Sequence, residues 1–233
     1  MERRDRIDII DAARGLSILL MVLYHLFYDL VAFCSFPAHV LFNPLVNSLQ
    51  VLFASLFILM SGASTQFSRN NLKRAVKMLL AALAVSVVTW LFDPSEFVRF
   101  GILHFLGVSA LLYALFYTQI DRLVSKVHPV FFIVLFFVFR SFLNHSYPIE
   151  HLWVLGIYAR SFVSSDYFPI FPWIFIYFFG IRFGKAVLAR KLPGWFYEFK
   201  FPFLAAAGRK TLWIYLLHQP MLMGVIELIR IFR

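Results

Sequence analysis

The feature that most constrains this chain is a series of long apolar stretches separated by short connections rich in Lys and Arg. A helix that crosses a bilayer needs about 20 mostly apolar residues at a rise of ~1.5 Å each. Seven stretches qualify in varying degree: roughly 14–35, 45–66, 73–92, 102–120, 128–143, 168–187 and 210–229. The fifth is short, and its HPVFFIVLFFVFRSFL can start with Pro129 at the first turn, where a missing N–H does little harm. The stretch 150–163, EHLWVLGIYARSFV, is apolar but short and carries Glu150, His151 and Arg160. It reads as a re-entrant or interfacial piece on the outer side, not as an eighth span. The expected fold class is therefore all-α: a polytopic integral membrane helix bundle of about seven transmembrane helices plus that short segment. No repeat at a fixed period is visible and no second, soluble domain fits, so residues 1–233 read as one integral-membrane domain.

Composition agrees. Hydrophobic residues make up 61%, charged residues 15%, and mean hydropathy is +0.79. Soluble domains lie near ~45–50% apolar and ~25% charged, so the excess here must face lipid. Disorder, a collagen-like repeat, a zinc finger and a disulfide scaffold are excluded by the same figures, and the lone Cys34 cannot form an internal bridge.

A net charge of +10 would point to nucleic acid in a soluble protein. Its placement says otherwise. Arg3, Arg4, Arg6 and Arg14 lead into the first span; Arg69, Lys73, Arg74 and Lys77 follow the second; Arg122 and Lys126 follow the fourth. Arg182, Lys185, Arg190, Lys191, Lys200, Arg209 and Lys210 fill the connection before the last span. Seventeen of the 22 basic residues thus fall on one side, leaving Arg99, Arg140, Arg160, Arg230 and Arg233. By the positive-inside rule the N-terminus is cytoplasmic, and seven spans put the C-terminus outside. No nucleic-acid partner is expected. The first span is too long and too polar, with His25 and Asp29, for a cleaved signal peptide. RKLPGWFYEFKFPFLA at 190–205 mixes Pro, Gly, aromatics and Lys, as a segment along the inner membrane surface would.

Ionisable groups within a bilayer are costly, so they usually face the bundle interior and serve a function. The first span holds the densest set: Asp11, Arg14, Ser17, Tyr24, His25 and Asp29. At ~100° per residue, the step from Arg14 to His25 returns to nearly the same face about three turns on. Asp29 follows at the i,i+4 spacing that lets side chains meet. A carboxylate beside an imidazole fixes its tautomer and stabilises imidazolium, which makes the histidine a general base. The structural alternative is a packing stripe in which His25 and Asp29 only bond each other.

Other polar residues carry less. In GRKTLWIYLLHQP, Thr211, Tyr215 and His218 share helical spacing, and Pro220 should kink the helix just past His218 and Gln219. These could line a polar cavity or simply cap a broken helix. His104 in RFGILHFLG stands between Gly101 and Gly107, where interface packing explains the glycines. SGAST at 61–65 is a small-residue packing patch. Asp166 in SSDYFPIFPW is either a helix cap or a substrate contact, and His39 lies in the first outer loop. There is no GxxxxGK[ST], no HExxH, no Cys/His ligand spacing and no G-x-S-x-G, so no P-loop pump, metalloprotease, bound metal or serine hydrolase is supported.

RIDIIDAARGLSILLMVLYHLFYDL resembles the opening of the membrane acyltransferases related to lysosomal heparan-alpha-glucosaminide N-acetyltransferase. The Arg14-to-His25 spacing is also similar to that of the related acyltransferase 3 family. LFILMSGAST, FGILHFLG, SSDYFPIFPWIFIYFFGIRFGK and GRKTLWIYLLHQP resemble later blocks of the small bacterial branch, in order over nearly the whole chain. The resemblance implies an acyltransferase-like membrane domain. It would move an acyl group, typically acetyl from acetyl-CoA, onto a carbohydrate or similar cell-envelope acceptor. Arg14, Lys73, Arg74 and Arg209 would hold the polyanionic donor. His25, oriented by Asp29, would be base or acyl acceptor, with Asp11, His104, Asp166, Tyr215, His218 and Gln219 lining the substrate cavity. The lysosomal enzyme's catalytic histidine lies in its first luminal loop, where this chain has only His39 without a matching motif; the acyltransferase 3 pattern selects His25 instead.

The leading expectation is thus a multi-pass acyl-CoA-dependent N- or O-acetyltransferase of the plasma membrane, with the lipid bilayer as its first partner. Two alternatives stand beside it. One is a proton-coupled transporter or exporter that uses the intramembrane His and Asp as a relay, although no inverted halves are visible. The other is a non-catalytic scaffold. A homo-oligomer stays open, and the acceptor's identity is not written in the chain.

Overall fold

The structure, a computed structural model, describes residues 7–143 and 145–231. Arg3, Arg4, Arg6 and Arg233 of the basic pattern lie outside the described residues. All regular structure there is helical apart from one isolated bridge between Phe100 and Tyr167. The helices are α1 (Asp8–Phe33), α2 (Ala38–Leu41), α3 (Pro44–Ser64), α4 (Asn71–Phe92), α5 (Ile102–Leu115), α6 (Tyr117–Lys126), α7 (Pro129–Leu143), α8 (Ile170–Leu188), α9 (Gly194–Glu198), α10 (Pro202–Arg209) and α11 (Thr211–Ile231).

Every apolar stretch read from the sequence is helical, but their number as spans differs from seven. Five helices (α1, α3, α4, α8 and α11 through Ile229) are long and apolar enough to cross a membrane. The fourth stretch breaks at Phe116 into α5 and α6, which bend by 98°, so a sixth span requires counting that pair as one. The break has a chemical cause. YTQIDRLVSK after Phe116 is polar on one face, and such a helix prefers the membrane surface to its interior. The seventh candidate, α7, has 15 residues and reaches only about 22 Å at the α-helical rise. Residues 150–163 form one short 3₁₀ turn, Trp153–Leu155, and otherwise irregular chain, in keeping with no span there.

Local chemistry sets the helix ends. Asp8 and Asp11 sit in the first turn of α1, where the N-terminal dipole favours them. Asn43 accepts from the Val46 N–H (3.0 Å) ahead of α3, and Asn70 accepts from the Lys73 N–H (2.8 Å) ahead of α4. The Asp93-Pro94 pair ends α4, because a residue before proline is pushed out of the helical region.

The chain divides into two compact units, 1–60 with 192–233 and 61–191; the division falls within α3. In the first unit α1 packs on α10 and α11. Two glycines make the α1–α10 approach feasible. A Cβ on Gly15 would overlap the Leu204 carbonyl, and one on Gly208 would overlap the Asp11 carbonyl. Arg14 meets Thr211 while His25 and Asp29 meet His218 and Gln219. Residue numbers therefore rise together along α1 and α11, so the two run in the same direction, as the first and last of an odd number of spans do.

In the second unit α4 packs on α5, and α7 on α8. The central element is α8, with Trp173–Tyr177, Ile181 and Val187 all buried. Leu80, Leu83, Val88 and Leu91 of α4 and Phe137 and Phe142 of α7 are exposed, a surface only lipid can cover.

Candidate functional site

In the first unit α1 turns Arg14, His25 and Asp29 toward α10 and α11. Arg14 Nη2 donates to the Gly208 carbonyl (2.7 Å) and the Thr211 hydroxyl (3.4 Å), and Nη1 lies 3.4 Å from the Asp11 carboxylate. One cation thus ties the α1–α10 crossing to the start of α11.

The two intramembrane histidines meet. The His25 and His218 rings stand edge to face, with centroids 4.9 Å apart. His25 Nδ1 is 2.9 Å from the Met21 carbonyl, and His218 Nδ1 is 2.6 Å from the Tyr215 carbonyl. A carbonyl can only accept, so both Nδ1 atoms carry hydrogen and donate. In the neutral rings the lone pair then lies on Nε2. His218 Nε2 is buried without a partner. His25 is half-buried, and its Nε2 has no protein partner among the described residues.

The direct His25–Asp29 contact expected from the i,i+4 spacing is not formed. Asp29, 1% exposed, instead accepts from Gln219 Nε2 through both oxygens, at 2.9 and 3.0 Å. The Met21 carbonyl has already engaged the His25 N–H, and α11 supplies a donor from across the helix pair. Gln219 Oε1 is buried without a partner.

The remaining expected site residues fall in the second unit, except Arg209, which is exposed at the end of α10 in the first. Asp166 and His104 serve the start of α5. Ile102 N–H donates to Asp166 Oδ2 (2.9 Å) and Gly101 N–H donates to His104 Nδ1 (3.2 Å), satisfying donors that a helix N-terminus leaves open. With its Nδ1 accepting, His104 carries hydrogen on Nε2 and donates to Ser86 Oγ at 3.1 Å. The Ser86 hydroxyl donates onward to the Val98 carbonyl (2.6 Å). A histidine that donates to Ser86 cannot take the serine proton, so this pair is not a nucleophile with its base.

Lys73 is exposed. Its neighbour Arg74 donates from Nη2 to the Ser61 carbonyl (2.9 Å) and hydroxyl (2.7 Å), while Nη1 is buried without a partner. His39 is exposed on α2. Among the described residues no cluster of three or more His, Cys, Asp or Glu could hold a metal ion. In the loops, the Ser95 hydroxyl and N–H (2.7 and 2.8 Å) hold the Asp93 carboxyl below its usual range. Burial pushes the Tyr167 phenol up; its hydroxyl donates to the Trp153 carbonyl at 2.5 Å.

Residues 6–220 match the family described as heparan-alpha-glucosaminide N-acetyltransferase, catalytic. The chain belongs to that family. The heparan-alpha-glucosaminide N-acetyltransferase match runs from the start of α1 to Pro220 in α11, so it reaches into both units and includes all of the site residues described above. It makes this chain, in general terms, a multi-pass membrane acetyltransferase. Comparison with curated proteins returns no match, nor does comparison with solved structures.

Several groups of this heparan-alpha-glucosaminide N-acetyltransferase family member escaped the sequence reading. The Met21 carbonyl that sets the His25 tautomer has no side-chain signature at all. Gln66 Nε2 donates to the Tyr113 hydroxyl at 2.7 Å, just beyond the SGAST patch that read as packing alone. Tyr177, fully buried with an unpartnered hydroxyl, stands in a run of apolar residues, and that one oxygen was the available signal.

Proposed function

We propose that this acetyltransferase uses cytoplasmic acetyl-CoA and delivers the acetyl group to an amino or hydroxyl group of a carbohydrate or other cell-envelope acceptor. On this reading it lies in the plasma membrane with its N-terminus cytoplasmic, and residues 1–233 act as one acyltransferase-like domain. The observation that carries the reading is His25: a half-buried imidazole in a membrane helix whose Nδ1–H is tied to the Met21 carbonyl at 2.9 Å, leaving Nε2 as the basic atom.

The chemistry follows from that atom. Nε2 takes the proton from the acceptor O–H or N–H as the acceptor's electron pair bonds to the acetyl carbonyl carbon. The C–S bond then breaks, and the leaving thiolate takes the proton back from Nε2. In a covalent variant the Nε2 lone pair first bonds the acetyl carbon as the C–S bond breaks and the CoA thiolate leaves. The acceptor then attacks that carbon, the N–C pair returns to Nε2 and the acceptor's proton passes to the thiolate, so His25 is the reacting residue in both. Asp29 supports the imidazolium as a buried counter-charge, held in place by Gln219. His218, Tyr215 and Gln219 form the polar wall beside His25, and Asp11 holds Arg14. Arg14, Lys73, Arg74 and Arg209 attract the polyanionic donor; Arg74, with an orphaned guanidinium nitrogen, fits such a group best.

The test is acetyl-CoA turnover by detergent-purified protein, followed by mass spectrometry of acetylated envelope glycans. Acceptor-dependent release of CoA thiol is expected. Proton-driven solute uptake into proteoliposomes without any acetyl-CoA consumption would contradict the proposal.

A further inference from the structure

The second unit holds a half-buried cation without a counter-anion among the described residues. Arg74 forms no ion pair among the described residues; its bonds go to neutral Ser61, and Nη1 has no partner. Ser61 begins a stretch that reaches a second orphan. Gly62 lies so close to α8 that a Cβ there would overlap the Tyr177 carbonyl, and the Arg74 charge acts on the Tyr177 hydroxyl. That hydroxyl is buried and unpartnered. A third orphan is close in sequence and face. The Phe105 ring contacts the Tyr177 ring with centroids 6.3 Å apart, and Tyr113 bonds Gln66, so Ser109 lies on the same α5 face between them. Its hydroxyl too is buried without a partner.

Three unused donors, one of them on an unpaired guanidinium with no carboxylate bonded to it among the described residues, ask for oxygen acceptors carrying negative charge. We propose that Arg74 and Tyr177, with Ser109 beside them, form an oxyanion subsite for a phosphate ester. The acyl donor of the proposed function is one source of that phosphate, and to that extent the inference rests on that reading. An anionic lipid headgroup offers the same chemistry from another source. A ligand oxygen at these atoms is held out of water, where charge-assisted hydrogen bonds are strongest. Exposed Lys73 contributes attraction at a distance only.

The full chain, purified in neutral detergent, is titrated with adenosine 3′,5′-bisphosphate, inorganic phosphate and phosphatidylglycerol vesicles while thermal unfolding is followed. Acetyl-CoA binding is measured in parallel by equilibrium dialysis. The variants are Arg74→Gln and Tyr177→Phe. The second removes an oxygen with no partner, so the unliganded fold should tolerate it.

Phosphate compounds are expected to raise the wild-type unfolding midpoint. Tyr177→Phe should weaken that response, and acetyl-CoA binding, about tenfold, and Arg74→Gln about a hundredfold. If both variants respond to every phosphate compound as the wild type does, the subsite is refuted. A response that depends on these residues but is confined to phosphatidylglycerol supports the subsite and identifies the headgroup as its source. Acetyl-CoA that fails to bind while the phosphate response persists refutes the donor reading and leaves the subsite standing.

Discussion

Replacing Gln219 by leucine removes the one hydrogen-bond donor that, among the described residues, the Asp29 carboxylate receives from another helix. The carboxylate is 1% exposed, and the Gln219 amide reaches both of its oxygens, at 2.9 and 3.0 Å. A hydrogen bond to a buried charged group is worth about 1.5–3 kcal/mol, and here no water can replace it. The charge can escape by taking a proton, which caps the penalty, so the loss should settle at ~2–3 kcal/mol. For a chain of this size that is a fall of roughly 5–10 °C in the unfolding midpoint. Asp29→Asn removes the charge while keeping an oxygen for Gln219 to bond, so it should cost less. In the double variant Asp29→Asn with Gln219→Leu, the penalty of the second change should shrink by about 1.5–3 kcal/mol. The assay is thermal unfolding of the four purified proteins in one detergent. An unchanged midpoint for Gln219→Leu, or strict additivity in the cycle, would refute the claim that Gln219 holds a charged Asp29.

Other expectations are equally concrete. Gly208→Ala drives a Cβ into the Asp11 carbonyl and should destabilise by about 1–3 kcal/mol or more, whereas Gly224, with nothing within 4 Å of its would-be Cβ, should accept alanine without loss; thermal unfolding distinguishes them. Asp166→Ala removes the acceptor of the Ile102 N–H and should cost about 0.5–2 kcal/mol, like other N-terminal caps, while the KM for acetyl-CoA stays unchanged. Asp93, whose folded pKa lies below its unfolded one, supports its turn fully above the unfolded value, near ~3.9, and loses that support as pH falls through the lower folded value. Ser95→Ala should raise the folded value, as an NMR titration of the Asp93 carboxyl would report.

How far the sequence carried this reading depends on range. Within α1, helical periodicity alone put Arg14, His25 and Asp29 on one face, and all three do turn toward α10 and α11. Which partner each would find was not legible, because that depends on how a helix nearly two hundred residues away is rotated. Asp29 therefore chose Gln219 over its own neighbour His25. Helix ends written in Asn, Asp and Pro were readable; the 98° break after α5 was harder, since hydropathy averages over a bend. That Asp166 also caps α5 was not legible, because that cap joins positions 64 residues apart, Ile102 and Asp166. Arg74 read as one basic residue among many. Only its burial beside Ser61 sets it apart from exposed Lys73.

The central claim, that His25 Nε2 is the reacting atom of a membrane acetyltransferase, is tested most directly by single-turnover transfer of labelled acetyl from acetyl-CoA. Wild type and His25→Ala are compared after both are shown to bind the donor. The account predicts a fall of about 10²–10⁴-fold in the transfer rate, with donor binding preserved. A His25→Ala rate within twofold of wild type would contradict it.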